Sequence, residues 1–198
     1  MSFQARLWGC QVEARVSCFM LGAFACLFMG RQAPAVLLAM IFHEGGHLLA
    51  MAALGAAPRQ ITLSAMGCRM VLPDGAGLRG LAGAVVSLAG PAANLMGFLF
   101  CLLAQAQTAP FALASLSLGA LHLLPIEPLD GGLALRRLLE PRLSPGRAER
   151  VCRFAAAALL LPLWVLGFWV LLRTRYNYTL LALALYLMLY LVLGKDYS

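Results

Sequence analysis

Long uninterrupted apolar runs limit this chain more than any other feature. Several approach the ~20 residues that a helix needs to cross a ~30 Å hydrocarbon core. They fall near residues 14–31, 34–55, 80–106, 110–126, 150–172 and 178–194, and arginine clusters separate them. With 62% hydrophobic and 12% charged residues, against about a quarter charged in ordinary soluble domains, the chain reads as an integral membrane protein. The fold class expected is all-α, a polytopic bundle of about six transmembrane helices. Between the second and third runs, "PRQITLSAMGCRMVLPDGAG" is too polar to cross and alternates around a central glycine, which predicts a small membrane-associated β-hairpin. The segment "GLALRRLLEPRLSPGRAER" places leucines at helical spacing with arginines on the other face. It predicts a surface helix ended by Pro141 and Pro145.

The net charge of +7 arises from 15 Lys and Arg against eight acids. The basic residues lie between apolar runs rather than in a stripe, which argues for topology determination and against nucleic acid. Six crossings put both termini on one side, and only Arg31, Arg173 and Arg175 fall opposite, so both termini are expected in the cytoplasm. The six cysteines (Cys10, Cys18, Cys26, Cys68, Cys101 and Cys152) show no C-x-x-C pair, so neither a disulfide framework nor a cysteine metal site is indicated. Arg6 and Arg15 ahead of "VSCFMLGAFACLFMG" imitate a signal peptide. The following "RQAPAVLLAM" offers no clear small-x-small cleavage site, so a retained first span is the reading.

Charged groups in hydrocarbon cost roughly 3 kcal/mol or more each, which makes every intramembrane ionisable residue a functional candidate. The acids within or at the edge of the runs are Glu44, Glu127 and Asp130. All three histidines (His43, His47 and His122) lie in the same two runs. In "AMIFHEGGHLLAM", His43 and His47 are four apart and project from one helix face, a spacing that suits two nitrogen ligands on one zinc. In H-E-x-x-H sites the intervening glutamate acts as general base on the attacking water rather than as a ligand, which makes Glu44 the candidate base. Gly45 and Gly46 leave the helix bare beside it, where a substrate backbone can approach.

A catalytic zinc takes three protein ligands and keeps one position open. The segment "LHLLPIEPLDGG" supplies candidates for the third: Pro125 and Pro128 break the helix, and Glu127 and Asp130 both follow His122 there. Glu127, between two prolines and next to solvent, reads more as a solvated or substrate-facing group. At 1.5 Å per residue His47 lies roughly 10 to 15 Å below the cytoplasmic surface, on the half of the bundle where the fourth run ends.

With "HEGGH" at His43 to His47, "SLAGPAANL" at Ser87 to Leu95 and "LLPIEPLDGG" at Leu123 to Gly132, the sequence resembles the site-2 protease family of intramembrane zinc metalloproteases, peptidase family M50. The three motifs stand in the family's order. Six spans as a single domain over residues 1–198, without an inserted PDZ domain, resemble the branch of the sporulation stage IV factor FB proteins, although members of that branch often carry a CBS domain after the last span and none is read here. The resemblance implies that His43, His47 and Asp130 bind one Zn2+ per chain, that Glu44 is the general base, and that the hairpin near Ile61 to Val71 pairs with an unwound substrate. The family commonly has Asn where this chain has His122. A histidine there can donate to an oxyanion or to Asp130, or pair with Asn94, which is itself a candidate for a polar contact to the site.

The resemblance thus implies regulated intramembrane proteolysis: a zinc metalloendopeptidase cleaving membrane proteins within or near a transmembrane segment. Pro-sigma or anti-sigma factors are candidate substrates, further membrane proteins candidate regulators, and a bacterial inner membrane the expected location. The alternative is a catalytically inactive membrane protein that retains a structural or metal-handling zinc site. A transporter fits less well, because the intramembrane acids form one cluster rather than a path.

Overall fold

The computed structural model describes residues 2–7, 10–64, 67–72 and 78–193. The turn of the expected hairpin at 65–66 and the end of the chain from 194 lie outside them. Strands β1 (Ser2–Leu7) and β2 (Cys10–Arg15) lead into helix α1 (Val16–Met29), a short 3-10 turn and helix α2 (Ala33–Ala53). Strands β3 (Gln60–Ser64) and β4 (Gly67–Val71) precede helices α3 (Gly80–Leu103), α4 (Pro110–His122), α5 (Asp130–Leu139), α6 (Pro145–Thr174) and α7 (Thr179–Leu193). The chain divides into two compact units, Met1–Leu78 with Ala89–Ala120, and Arg79–Leu88 with Leu121–Ser198. α3 contributes to both.

In the first unit the expected hairpin is half of a larger sheet. Its four strands lie in the order β1-β2-β3-β4, with antiparallel pairs at both ends and β2 parallel to β3. A parallel pair needs a long crossover, and here the α1–α2 helical hairpin provides it. Gly30, at φ +52, lets its N–H close on Cys26 before the chain turns into α2. α2 buries Ala39, His43 and Gly46 on one face. Small residues let the helices approach: a Cβ on Gly46 would overlap the Ala89 carbonyl and the Ala93 side chain, and one on Gly119 would press on Leu95 and on Pro91 of α3. Gly46 is therefore a packing residue. Of the glycine pair expected to lie bare, only Gly45 is open, with nothing within 4 Å of its notional Cβ.

The core of the second unit joins Ile126 and Leu129 of the α4–α5 loop to Ala156 and Leu160 of α6 and Leu187 of α7. Gly167 brings α6 against the α7 backbone at Leu181, 3.1 Å from a notional Cβ. α5 is the expected amphipathic helix, but it buries Gly131, Gly132 and Ala134 rather than its leucines. Arg137 is not on a solvated face. It donates to the Gly83 carbonyl at 2.7 Å and to Ser87 Oγ at 2.8 Å, tying α5 to the first turns of α3.

Among the described residues, three segments are long and apolar enough to cross a membrane: Val16–Ala53, Gly80–Leu103 and Pro145–Thr174. Only 11%, 33% and 17% of their most apolar windows are buried, so large apolar side chains such as Leu27, Phe100 and Leu161 face outward. Apolar surface on that scale marks an integral membrane protein. The expected count of six is met only in part. α1 and α2 run together within Val16–Ala53, while α4 and α7, at 13 and 15 residues, are shorter apolar helices. The fourth run ends at His122, short of residue 126, because the following prolines cannot continue a helix.

Candidate metal centre

The helical repeat places His43 and His47 on one face of α2, and their Nε2 atoms converge to 3.3 Å. Two nitrogens bound at ~2.0–2.1 Å to one tetrahedral zinc stand about 3.3 Å apart, so the pair fits two ligands of such an ion. His43 is 5% exposed. Its Nδ1 lies 3.2 Å from the amide of Asn94 on α3, a residue with no solvent exposure. The amide atom at that distance is Nδ2; were Nε2 to bind a metal, the ring N–H at Nδ1 would donate and the amide would turn its oxygen to it. The partner of Asn94 is thus His43.

One turn before Asn94, Gly90 faces the other ring. A Cβ there would overlap the His47 imidazole. "GPAAN" thus does two things through one i, i+4 face of α3: Gly90 makes room for His47 and Asn94 orients His43. The spacing in the motif is a signal for this pairing, but it is readable only once α2 is known to lie against α3.

Glu44 follows His43 on α2 and meets Cys68 of β4, whose thiol donates a hydrogen bond to the carboxylate. Burial first, and the neighbouring Glu44 charge second, push the Cys68 thiol from 9.0 up to about 12, so it stays protonated at neutral pH. The edge strand of the sheet therefore lies beside Glu44, a neighbour no local pattern in the sequence announces. All six cysteines are free thiols.

In the second unit Asp130 is the first residue of α5, where a carboxylate complements the helix dipole. The chain reaches it through a tight loop. A Cβ on Gly131 would overlap the Leu123 carbonyl, and one on Gly132 the backbone at Ile126 and Glu127, so both glycines are required for this approach. His122 Nδ1 lies 2.7 Å from Asp130 Oδ2, making Asp130 the partner of His122. Glu127 turns the other way, with Oε2 3.4 Å from Arg136 Nη1. The half-exposed Arg136 guanidinium gives this carboxylate a charge partner, where the sequence suggested a solvated or substrate-facing group.

Two single replacements test this geometry. Gly90→Ala is expected to displace His47 and lower zinc retention in the purified protein, whereas Gly45→Ala, where a Cβ meets nothing, keeps it; metal content and thermal stability of the two variants are the readout. Asn94→Leu removes the hydrogen-bond partner of His43 Nδ1 and is expected to weaken zinc binding by about 10 to 100-fold, measured by competition with a chelator.

The fold is that of a site-2 protease. The chain superimposes on "Site-2 Protease from Methanocaldococcus jannaschii" with a TM-score of 0.63 at 18% identity, over 94% of this chain and 92% of the other. No protein-family model and no curated protein matches the sequence.

Proposed function

We propose that the protein is an intramembrane zinc metalloendopeptidase that cleaves membrane-protein substrates within or near a transmembrane segment. The observation that carries this reading is the 3.3 Å separation of the His43 and His47 Nε2 atoms beside Glu44. The likeness of fold to a site-2 protease supports it. His43, His47 and Asp130 would hold one zinc ion, since two imidazole nitrogens and one carboxylate oxygen make a donor set suited to it. His122 acts as a positioning residue for the Asp130 carboxylate.

When bound, zinc supplies Lewis-acid polarisation of the scissile carbonyl and lowers the pKa of the attacking water. Glu44 takes one proton from that water as its oxygen bonds to the carbonyl carbon. The same carboxylic acid then returns the proton to the amide nitrogen as the C–N bond breaks, releasing an amine and a carboxylic acid, whose proton passes to the amine to leave ammonium and carboxylate. A helical substrate hides its amides, so it must be extended first. We read β4, the edge strand beside Glu44, as the strand that would take an unwound segment by strand addition. We further read the apolar helices as a six-span arrangement in a bacterial inner membrane with cytoplasmic termini. A six-span arrangement without an inserted PDZ domain would fit the sporulation stage IV factor FB branch, with a pro-sigma or anti-sigma factor as substrate.

The test is co-reconstitution in liposomes with a set of labelled single-span peptides that carry helix-breaking residues. Cleavage near the span that stops with a zinc chelator and returns with added zinc is the expected result. Cleavage indifferent to the chelator would contradict the reading.

A further inference from the structure

A groove of about 540 Å³ lies between the first turns of α6 and the end of α7, lined by Arg150, Arg153, Phe154, Ala157, Leu191 and Val192. We propose that it binds one anionic phospholipid of the bilayer, with the phosphate between the two arginines and acyl chain along the apolar wall.

The charge pattern of α6 locates the groove. Arg147, Glu149, Arg150 and Arg153 occupy its first turns, and no charged residue follows from Phe154 to Leu172. The change from charged to apolar falls within the groove, as it must at a headgroup boundary. Arg150 and Arg153 are three apart and share a helix face. Arg153 pairs with Glu149, whereas Arg150 Nε donates at 3.3 Å to the Gly146 carbonyl and has no acidic partner among the described residues. The local balance stays positive. A planar guanidinium with several N–H donors suits a phosphate diester, and basic pockets between membrane helices take such headgroups.

The walls argue for a lipid over a soluble anion. Phe154 is 77% exposed and Val192 60%, so the apolar side opens outward, where an acyl chain lies. Residues 194–198, which continue from α7, carry one lysine and one aspartate. The side chains of that segment sum to no net charge and offer no phosphate, so it is a poorer occupant than an anionic lipid.

The full chain, delipidated in detergent, is titrated with phosphatidylglycerol and with phosphatidylcholine of the same acyl composition, and bound lipid is counted by native mass spectrometry. One phosphatidylglycerol per chain is expected, with phosphatidylcholine at least about tenfold weaker. The double replacement Arg150→Gln with Arg153→Gln is expected to weaken phosphatidylglycerol roughly 20-fold, since each basic group near the surface contributes about fivefold. Should the double variant fail to fold, Arg150→Gln alone carries the test with about a fivefold loss. Equal binding of the two lipids, or variants that bind like wild type, would overturn the proposal. So would displacement of the lipid by excess inorganic phosphate, which would indicate a soluble-anion site, or binding that appears only after residues 194–198 are removed, which would make that segment the occupant.

Discussion

Glu44→Gln is expected to reduce cleavage by at least about 10²- to 10⁴-fold, the range a positioned general base contributes, while zinc stays bound at its wild-type level. The neutral amide keeps the size and position of the carboxylate on α2 but accepts no proton from water. The hydrogen bond from the Cys68 thiol is still possible to the amide oxygen, so the sheet edge keeps its contact and the loss is chemical. Initial rates on a cleavable span, measured beside zinc content, provide the check. Equal rates in the two proteins would remove Glu44 from the mechanism. Loss of zinc along with activity would make Glu44 a part of the metal site.

His43→Ala and Asp130→Ala are expected to lose zinc outright. A three-ligand site without one donor falls to two, and the deleted imidazole of His43 also leaves Asn94 buried without its partner. Glu127→Ala should keep zinc, because Glu127 is committed to Arg136. Metal content of the three purified variants separates the assignments. If Glu127→Ala loses zinc while Asp130→Ala retains it, the third ligand is Glu127 and the role given to His122 fails with it.

The parts of this site that were legible in the sequence are those set by local geometry. His43 and His47 are neighbours on any helix, so their spacing alone predicted a converging pair. The prolines of "LPIEPLDGG" predicted a break before Asp130, and α5 begins there. What required the fold was nonlocal. Gly46 and Gly90 look alike as small residues in apolar helices, yet one admits the α3 backbone and the other the His47 ring.

The strands β1 and β2 were not legible for a related reason. "SFQARL" and "CQVEAR" are short and of mixed polarity, and β2 joins the sheet by pairing with β3 across the whole α1–α2 hairpin, with Val12 opposite Ile61. No period within the segment itself encodes that partner. Span lengths misled in the opposite direction. Apolar composition continued past His122 to Ile126, but Ile126 belongs to the buried loop core of the second unit rather than to a helix.

Zinc K-edge X-ray absorption on the purified full chain in detergent tests the central claim most directly. One zinc per chain is expected, in a shell of nitrogen and oxygen at ~2.0–2.1 Å, with the outer scattering of two imidazoles and no sulfur. A protein that takes up no zinc, or a sulfur scatterer at ~2.3 Å such as Cys68 would provide, would contradict it.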